Sequence, residues 1–342
     1  VGTRAVSIKD VADLAQVAVG TVSNVLNNPN RVADRTRERV LNAISELGFV
    51  RNDAARQLRA GLSRTIGLIV LDVSNPFFSS LARAAEEAAA EIGSTVVLGD
   101  SGSDRAREAR YIDVFEEQRV KGMLISPVGD ISDRMETLRN HGVSVVLVDR
   151  VDPGRKISSV SVDDVAGGYI AVKHLLDSGR RRIAFIGAST EIQQVADRLE
   201  GALKAVAEHA GAELEVIEAS AMTVLAGRSA GETVAARAED RRPDGVFCAN
   251  DLLAIGVMQA VLMVRGLHIP DELALIGYDD IDFAQSAVVP LTTIRKPTEL
   301  MARTAVDVLV GEIDGGDGES RRVVFQPELV ERESTATVRN GA

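Results

Sequence analysis

The sequence has no tryptophan, only three tyrosines and eight phenylalanines in 342 residues, and a single cysteine. One cysteine excludes an intramolecular disulfide framework. Cys248 lies in the apolar run GVFCA, so it reads as a buried core side chain, and no identifiable base accompanies it. The histidines (His141, His174, His209 and His268) are scattered, and none stands at a metal-ligand spacing. There is no P-loop, no GxGxxG after the first apolar strand pattern, and no carboxylate pair at a defined separation. Enzymatic chemistry, a metal and a cofactor are therefore not expected. No run of 18 apolar residues and no signal peptide is recognisable, which predicts a soluble cytoplasmic protein without membrane association. The scarcity of aromatic surface also weighs against a nucleobase ligand.

What is present begins at Ser7, with SIKDVADLAQVAVGTVSNVLNN. Ser7 followed by Asp10 reads as a helix start, and Val11, Leu14 and Ala15 recur at the spacing of one helical face. After a break at Gln16–Ala18, Val22, Val25 and Leu26 form a second such face. Helices this short do not persist alone. A third, over 34–48, supplies Val40, Ile44 and Leu47 and ends at Gly48. Three short helices with a tight second turn are the plan of a helix-turn-helix DNA-binding unit. The formal charge of -11 is unevenly spread. Residues 1–60 hold nine Arg and Lys against six Asp and Glu, a balance of +3 that leaves -14 for the remainder. A modestly basic head on an acidic body suits a small contact with phosphates.

From Ile66 onward short apolar runs alternate with amphipathic helical stretches, the pattern of βαβ units and parallel sheets covered on both faces. One series runs from IGLIV to VSVVLV and a second from RIAFIG to ELALIGYDD, which predicts two doubly wound lobes. PLTTIRKP, a helix over 298–312 and two short strands near 322–334 are read as returning to the first lobe. The predicted domains are 1–50 (DNA binding), 51–63 (linker), 64–162 with 292–335 (first lobe) and 163–291 (second lobe). Ligands of such folds sit at the carboxyl ends of strands, between the lobes. The residues there are Asp72, Asn75, Phe77, Phe78, Ser126, Asp149 and Arg150 in the first lobe. In the second they are Asn250, Asp251, Asp279 and Asp280, with Arg198 early in a helix. Carboxylates, amides and an Arg fork bind vicinal hydroxyls in pairs, and a ring covers a sugar's apolar face. Residue by residue, simpler readings compete: a turn at Asn75-Pro76, a loop at Asp279-Asp280, core packing for the two Phe.

The segments IKDVADLAQVAVGTVSNVLN, TRERVLNAISELGF, NDAARQL, SNPFF, VDD, RLEGA, AND, GYDD and PLTTI follow one another in an order and spacing that resembles, over essentially the whole chain, the lactose/galactose-type (LacI/GalR) bacterial transcriptional regulators. The resemblance implies a repressor released from a near-palindromic operator when a small sugar or polyol closes the cleft, acting as a homodimer. Alternatives are a regulator dependent on a corepressor or partner protein, and a sugar-sensing module that does not read DNA. It places base reading on Val19, Gly20 and Asn24, and backbone or supporting roles on Ser7, Thr21, Ser23, Asn27 and Arg51. It places a hinge helix on NDAARQL, with Asn52, Ala55 and Leu58 at the minor groove and Leu58 as the wedge. The competing readings are a local core contact for Val19 and a plain linker for 51–63. Among the effector positions it matches Asp72, Asn75, Phe77, Arg198, Asn250 and Asp279. Stacking on the sugar is expected from Phe77 or Phe78, and the effector is expected to be a monosaccharide. The protein would be nucleoid-associated when DNA-bound. Four departures from the family pattern stand out: Gln16 for a common Gly, Ala18 for Ser, Asn24 for a frequent Arg, and Arg51 for the Pro before the hinge. The first three imply an altered operator preference and, through missing contacts, weaker binding; Arg51 removes a rigid start and adds a phosphate contact.

Overall fold

A computed structural model describes residues 6–49, 63–152, 154, 156–264, 266–315 and 319–335. The chain divides into two compact units, Val1–Ser63 and Arg64–Ala342.

In the first unit, α1 (Ile8–Ala15) starts at a capping box: the Ser7 side chain accepts from the Asp10 amide, and the Asp10 carboxylate accepts from the Ser7 amide at 2.8 Å. It stops at Gln16, whose φ of 52° is left-handed, which explains why a glycine is the easier residue in this turn. Helix α2 (Val19–Asn27) begins at Ala18, which supplies no side-chain cap. Helix α3 (Asp34–Leu47) ends at Gly48, with φ 60°. Val11, Ala12, Ala15, Val22, Val25, Val40 and Ala43 form the core. Leu14 does not join it and is 43% exposed. Ala12 takes that place, because residues i, i+1 and i+4 (Val11, Ala12, Ala15) face the small core more squarely than i+3 does.

The second unit holds two six-stranded sheets. The first is built from β1 (Thr65–Val70), β2 (Thr95–Asp100), β3 (Gly122–Ile125), β4 (Ser144–Val148), β5 (Ser158–Val162) and β11 (Arg322–Phe325), in the order β11-β5-β4-β3-β1-β2, all parallel. The second contains β6 (Arg182–Gly187), β7 (Glu213–Glu218), β8 (Gly245–Cys248), β9 (Ala274–Asp279), β10 (Thr292–Arg295) and β12 (Glu328–Val330). Its order is β12-β10-β9-β8-β6-β7, with only β12 antiparallel. The connecting helices are α4 (Pro76–Glu91), α5 (Arg105–Glu117), α6 (Ser132–Asn140), α7 (Asp164–Asp177), α8 (Gln193–Ala207), α9 (Val224–Ala235), α10 (Asp251–Gln259), the single turn α11 (Asp282–Gln285) and α12 (Thr298–Ile313).

Alternation explains the nearly unbroken apolar strands. Leu68, Val70, Leu124, Val146 and Val148 enter one core of the first lobe, while Ile69, Met123, Ile125, Val145 and Leu147 enter another. The central strands β1, β3 and β4 therefore bury both faces. Three details differ from expectation. The strand β5 (SSVSV) is buried throughout although it is more than half serine. The segment 292–335 does not return whole to the first lobe. β10 pairs with β9, in register Thr292↔Ile276, and so stays in the second sheet. β11 joins the first sheet on β5, and β12 goes back to β10. Only α12 and β11 of this segment complete the first lobe, so the chain crosses between lobes after β5, after β10 and after β11.

Candidate functional sites

On the first unit the exposed side of α2 is small and specific. Val22 and Val25 are buried, while Val19 (41% exposed), Gly20 and Asn24 point outward. At about 100° per residue these three span one flank of the helix, opposite the core face. The exposure of Val19 argues against a role in the local core. Thr21 and Ser23 are half-buried, and Asn27 is exposed and donates from Nδ2 to Ser23 Oγ at 3.2 Å. Ser7 is taken up by the capping box, with its Oγ donating to Asp10 Oδ2 at 2.6 Å. Lys9, Arg31, Arg35 and Arg39 are exposed on the same unit. Arg51, Asn52, Ala55 and Leu58 lie outside the described residues.

In the second unit the strand ends of both lobes line a cleft of about 450 Å³. Asp72, Asn75, Phe77, Phe78, Asp149, Arg198, Asn250 and Asp279 all border it. Asn75 and Asn250 owe their placement to helix capping. The Asn75 Oδ1 accepts from the Phe77 amide at 3.0 Å, and the Asn250 Oδ1 from the Leu253 amide at 2.9 Å. Each amide nitrogen is then aimed elsewhere: Asn75 Nδ2 donates across the cleft to Asp279 Oδ2 at 3.3 Å, and Asn250 Nδ2 to the Met222 carbonyl at 3.1 Å. Arg198 is 3% exposed. Its Nε donates to Asp164 Oδ1 at 2.8 Å, its Nη1 to the Ala249 carbonyl at 2.6 Å, and its guanidinium covers the Tyr278 ring at 3.7 Å. Asp149 (φ 59°) and Asp279 (φ 106°) are both held in left-handed backbone, a strain that concentrates at functional sites.

Four expected positions are not in the cleft. Ser126 is fully buried, and Arg150 lines a separate cavity beside Asp130 and Asp152. Both follow strands, but the residue that follows a strand faces one layer or the other according to its parity, and these two turn away. Asp251 and Asp280 serve structure. Asp251 is fully buried, accepts from Thr293 Oγ1 at 2.6 Å and the Ile281 amide at 2.9 Å, and has its carboxyl pushed well up by burial. Asp280 accepts from Arg295 Nε (2.6 Å) and Arg332 Nη2 (2.7 Å).

Two cleft residues were not legible in advance. Gln194, on α8, donates from Nε2 to the Asp149 carbonyl at 2.6 Å. Lys296, just past β10, is buried with its Nζ between Asp149 and Asp279 and 3.2 Å from the Phe77 ring centroid. The ammonium thus occupies one face of the ring expected to stack on a sugar. Phe78 packs in the core, edge-on to Phe77. The only available signal was the register of RKP against the end of a strand. Two buried oxygens bordering the cleft, Asp279 Oδ1 and Gln194 Oε1, accept no hydrogen bond. Lys296 Nζ lies 3.0 Å from Asp279 Oδ1, an ion pair that neutralises this oxygen and leaves Gln194 Oε1 as the one of the two without a partner.

Burial pushes the Asp149 carboxyl up to about 6, against the opposing pull of the Lys296 ammonium. A folded-state value above the unfolded one means that the contribution of this group to stability is complete at pH below about 3.8 and is lost as the pH rises through about 6. Asp149→Asn removes that titration. Its stability relative to the wild type should rise by on the order of 2–3 kcal/mol between pH 4 and 7.5, whatever the constant offset. Urea denaturation at the two pH values measures this, and a pH-independent difference would refute it.

The family relationships agree with this layout. The model of the lacI family of bacterial regulatory proteins matches residues 7–52, and that of the periplasmic binding protein-like domain matches residues 172–335. The HTH-type transcriptional repressor PurR of Vibrio campbellii is 34% identical over 333 residues, covering 95% of this chain and 97% of its own. The lac repressor dimer bound to operator and the anti-inducer ONPF superimposes with a TM-score of 0.84 at 26% identity, covering 98% of this chain and 100% of the other. The transcriptional regulator CelR in complex with cellobiose gives 0.70 at 31% identity, covering 96% and 99%. The chain belongs to the LacI family of bacterial transcriptional regulators. It is a DNA-binding regulator with a small-molecule effector pocket. Among the described residues no helix is long and apolar enough to cross a membrane, and no cluster of His, Cys, Asp or Glu is arranged to hold a metal.

Proposed function

We propose that this chain is a repressor of a carbohydrate-utilisation operon, released from a palindromic operator when a small sugar or related polyol binds between the lobes. The observation that carries the effector half is a cleft of about 450 Å³ lined by polar strand ends of both lobes and bordered by Gln194 Oε1, a buried acceptor without a donor. Leaving such an atom unpaired is costly, and a hydroxyl donor of a polyol would satisfy it. The DNA half rests on the outward face of α2. Asn24 can read an adenine edge bidentately, Val19 can pack on a thymine methyl, and Gly20 lets the helix approach closely. Thr21, Ser23 and Asn27 hold or flank the phosphates, and Ser7 fixes α1. In the hinge, Arg51 meets a phosphate while Asn52, Ala55 and Leu58 enter the minor groove on a helix that forms only with DNA and a partner chain.

The assembly is a homodimer, which sets two recognition helices roughly 34 Å apart. In support, the edge strand β2 leaves Val97 and Leu98 about 40% exposed, a surface a second body would cover. The protein is cytoplasmic, on the nucleoid when DNA-bound. Effector closure and operator binding oppose each other, so the effector binds the DNA-bound form less tightly by the same factor.

Selection from a randomised duplex pool at fixed salt, followed by titration of the winning duplex with a panel of monosaccharides, tests the reading. The expected result is a palindrome released by one sugar. A palindrome that no sugar releases overturns the effector assignment in favour of a corepressor or partner protein. No enriched site, with salt-dependent non-specific binding intact, overturns the Val19–Gly20–Asn24 assignment.

A further inference from the structure

The backbone leaves the second lobe for the first at Lys296, and the ammonium of that residue is enclosed by groups from both. Nζ stands 3.2 and 3.4 Å from the two carboxylate oxygens of Asp149, at the end of β4, and 3.0 Å from Asp279 Oδ1, at the end of β9. It sits over the ring of Phe77, in the first turn of α4. The side chain is 1% exposed. Two carboxylates and the face of an aromatic ring are what an amine-recognising pocket offers a ligand cation. Here the amine arrives on the chain itself. The other cation bordering the cleft, Arg198, is turned back onto Asp164 and the Ala249 carbonyl.

We propose that Lys296 is a tethered occupant of a cation subsite within the effector cleft, tying Asp149 of one lobe to Asp279 of the other and restricting the effector to neutral, hydroxyl-bearing molecules. The specificity half rests on the reading of the cleft as the effector site; the tether does not. Its ammonium fills the one position where two buried carboxylates would hold a ligand's charge. It also covers a face of Phe77, so a ring stacked there is excluded. What remains for a ligand is Gln194 Oε1 together with the polar strand ends that line the cleft, which asks for hydroxyl donors.

Removing the side chain beyond Cβ should open a cavity shaped for its missing part, which is propylammonium. In full-length Lys296→Ala the melting temperature is expected to fall by roughly 5–15 °C, because two buried carboxylates lose their counter-ion. Millimolar propylammonium should restore at least half of the loss, whereas propanol or sodium chloride at equal concentration should not, and the wild type should respond to none of them. D-Glucosamine should likewise raise the melting temperature of Lys296→Ala and leave the wild type unmoved. Should Lys296→Ala fail to fold, Lys296→Met and the double variant Asp149→Asn/Lys296→Met serve in its place. The double variant is expected to melt above Lys296→Met, since one orphaned charge has gone. A Lys296→Ala melt within about 1 °C of wild type, rescue by propanol as large as by propylammonium, or a double variant no more stable than Lys296→Met overturns the tether. Rescue by propylammonium but not by glucosamine overturns the specificity half. The amine rescue is read without DNA or effector, so its failure and a failure of operator release by sugar are separate results.

Discussion

Arg198→Met is expected to destabilise the effector-binding body by about 3–5 kcal/mol, the largest single-residue effect in the cleft. The guanidinium is buried, and so is its partner Asp164, at 3% and 5% exposure. Methionine fills the volume but leaves the Asp164 carboxylate without a counter-ion and the Ala249 carbonyl without its donor. The loss is read as a lower urea midpoint at pH 7.5 with an unchanged slope. On the proposed function, sugar-induced release from the operator is lost as well. A conservative Arg198→Lys should recover part of the stability, because the charge returns, but not the fork that spans two acceptors. A midpoint for Arg198→Met equal to wild type would mean that Asp164 is not enclosed as described.

The second large effect comes from residues with no side chain. Helices α7 and α8 meet backbone to backbone at Gly168 and Gly201. A Cβ on Gly168 would fall 2.0 Å from the Arg198 carbonyl oxygen, and one on Gly201 would fall 2.0 Å from the Val165 carbonyl oxygen. Neither carbonyl can rotate away, since both are inside helices. Gly201→Ala therefore has to separate the helices, and the strain exceeds the gain of up to about 1 kcal/mol that alanine brings to a helix interior. A net loss of about 2 kcal/mol or more is expected, seen as a fall in melting temperature of roughly 4–8 °C. Because α8 carries Arg198 and Gln194, the same shift would move both away from the cleft. A variant as stable as wild type would show that the helices tolerate separation, and with it that Arg198 is less rigidly placed than its contacts indicate.

The alternation of apolar runs and helical stretches made the two-lobe plan readable, because a parallel sheet buried on both faces writes itself as unbroken Val, Ile and Leu. The same criterion hid β5, where Ser158, Ser159 and Ser161 are buried as fully as the valines beside them. It also misassigned β10, since nothing in PLTTIRKP states which sheet edge receives it. At the cleft, strand-end positions placed Asp72, Asn75, Phe77, Asp149 and Asp279 around one space, while Ser126 and Arg150 lie outside it. Lys296 was out of reach for another reason. Its neighbours come from sequence positions 77, 149 and 279, and only the folded chain brings them to one point. In the head, the spacing of Val22 and Val25 located the buried face of α2, while on α1 the core-facing positions are Val11, Ala12 and Ala15 and Leu14 lies off them.

The interleaving of the lobes bears on how the protein is made. The edge of the first sheet at β5 is complete only when β11 pairs with it, and about 160 residues separate Val162 from Arg322. At roughly 5–20 residues per second a ribosome takes on the order of ten seconds to deliver that strand, building the whole second lobe meanwhile. During that interval the nascent first lobe presents an unpaired serine- and valine-rich edge, the kind of surface that chaperones cover and that neighbouring chains on a polysome can pair with.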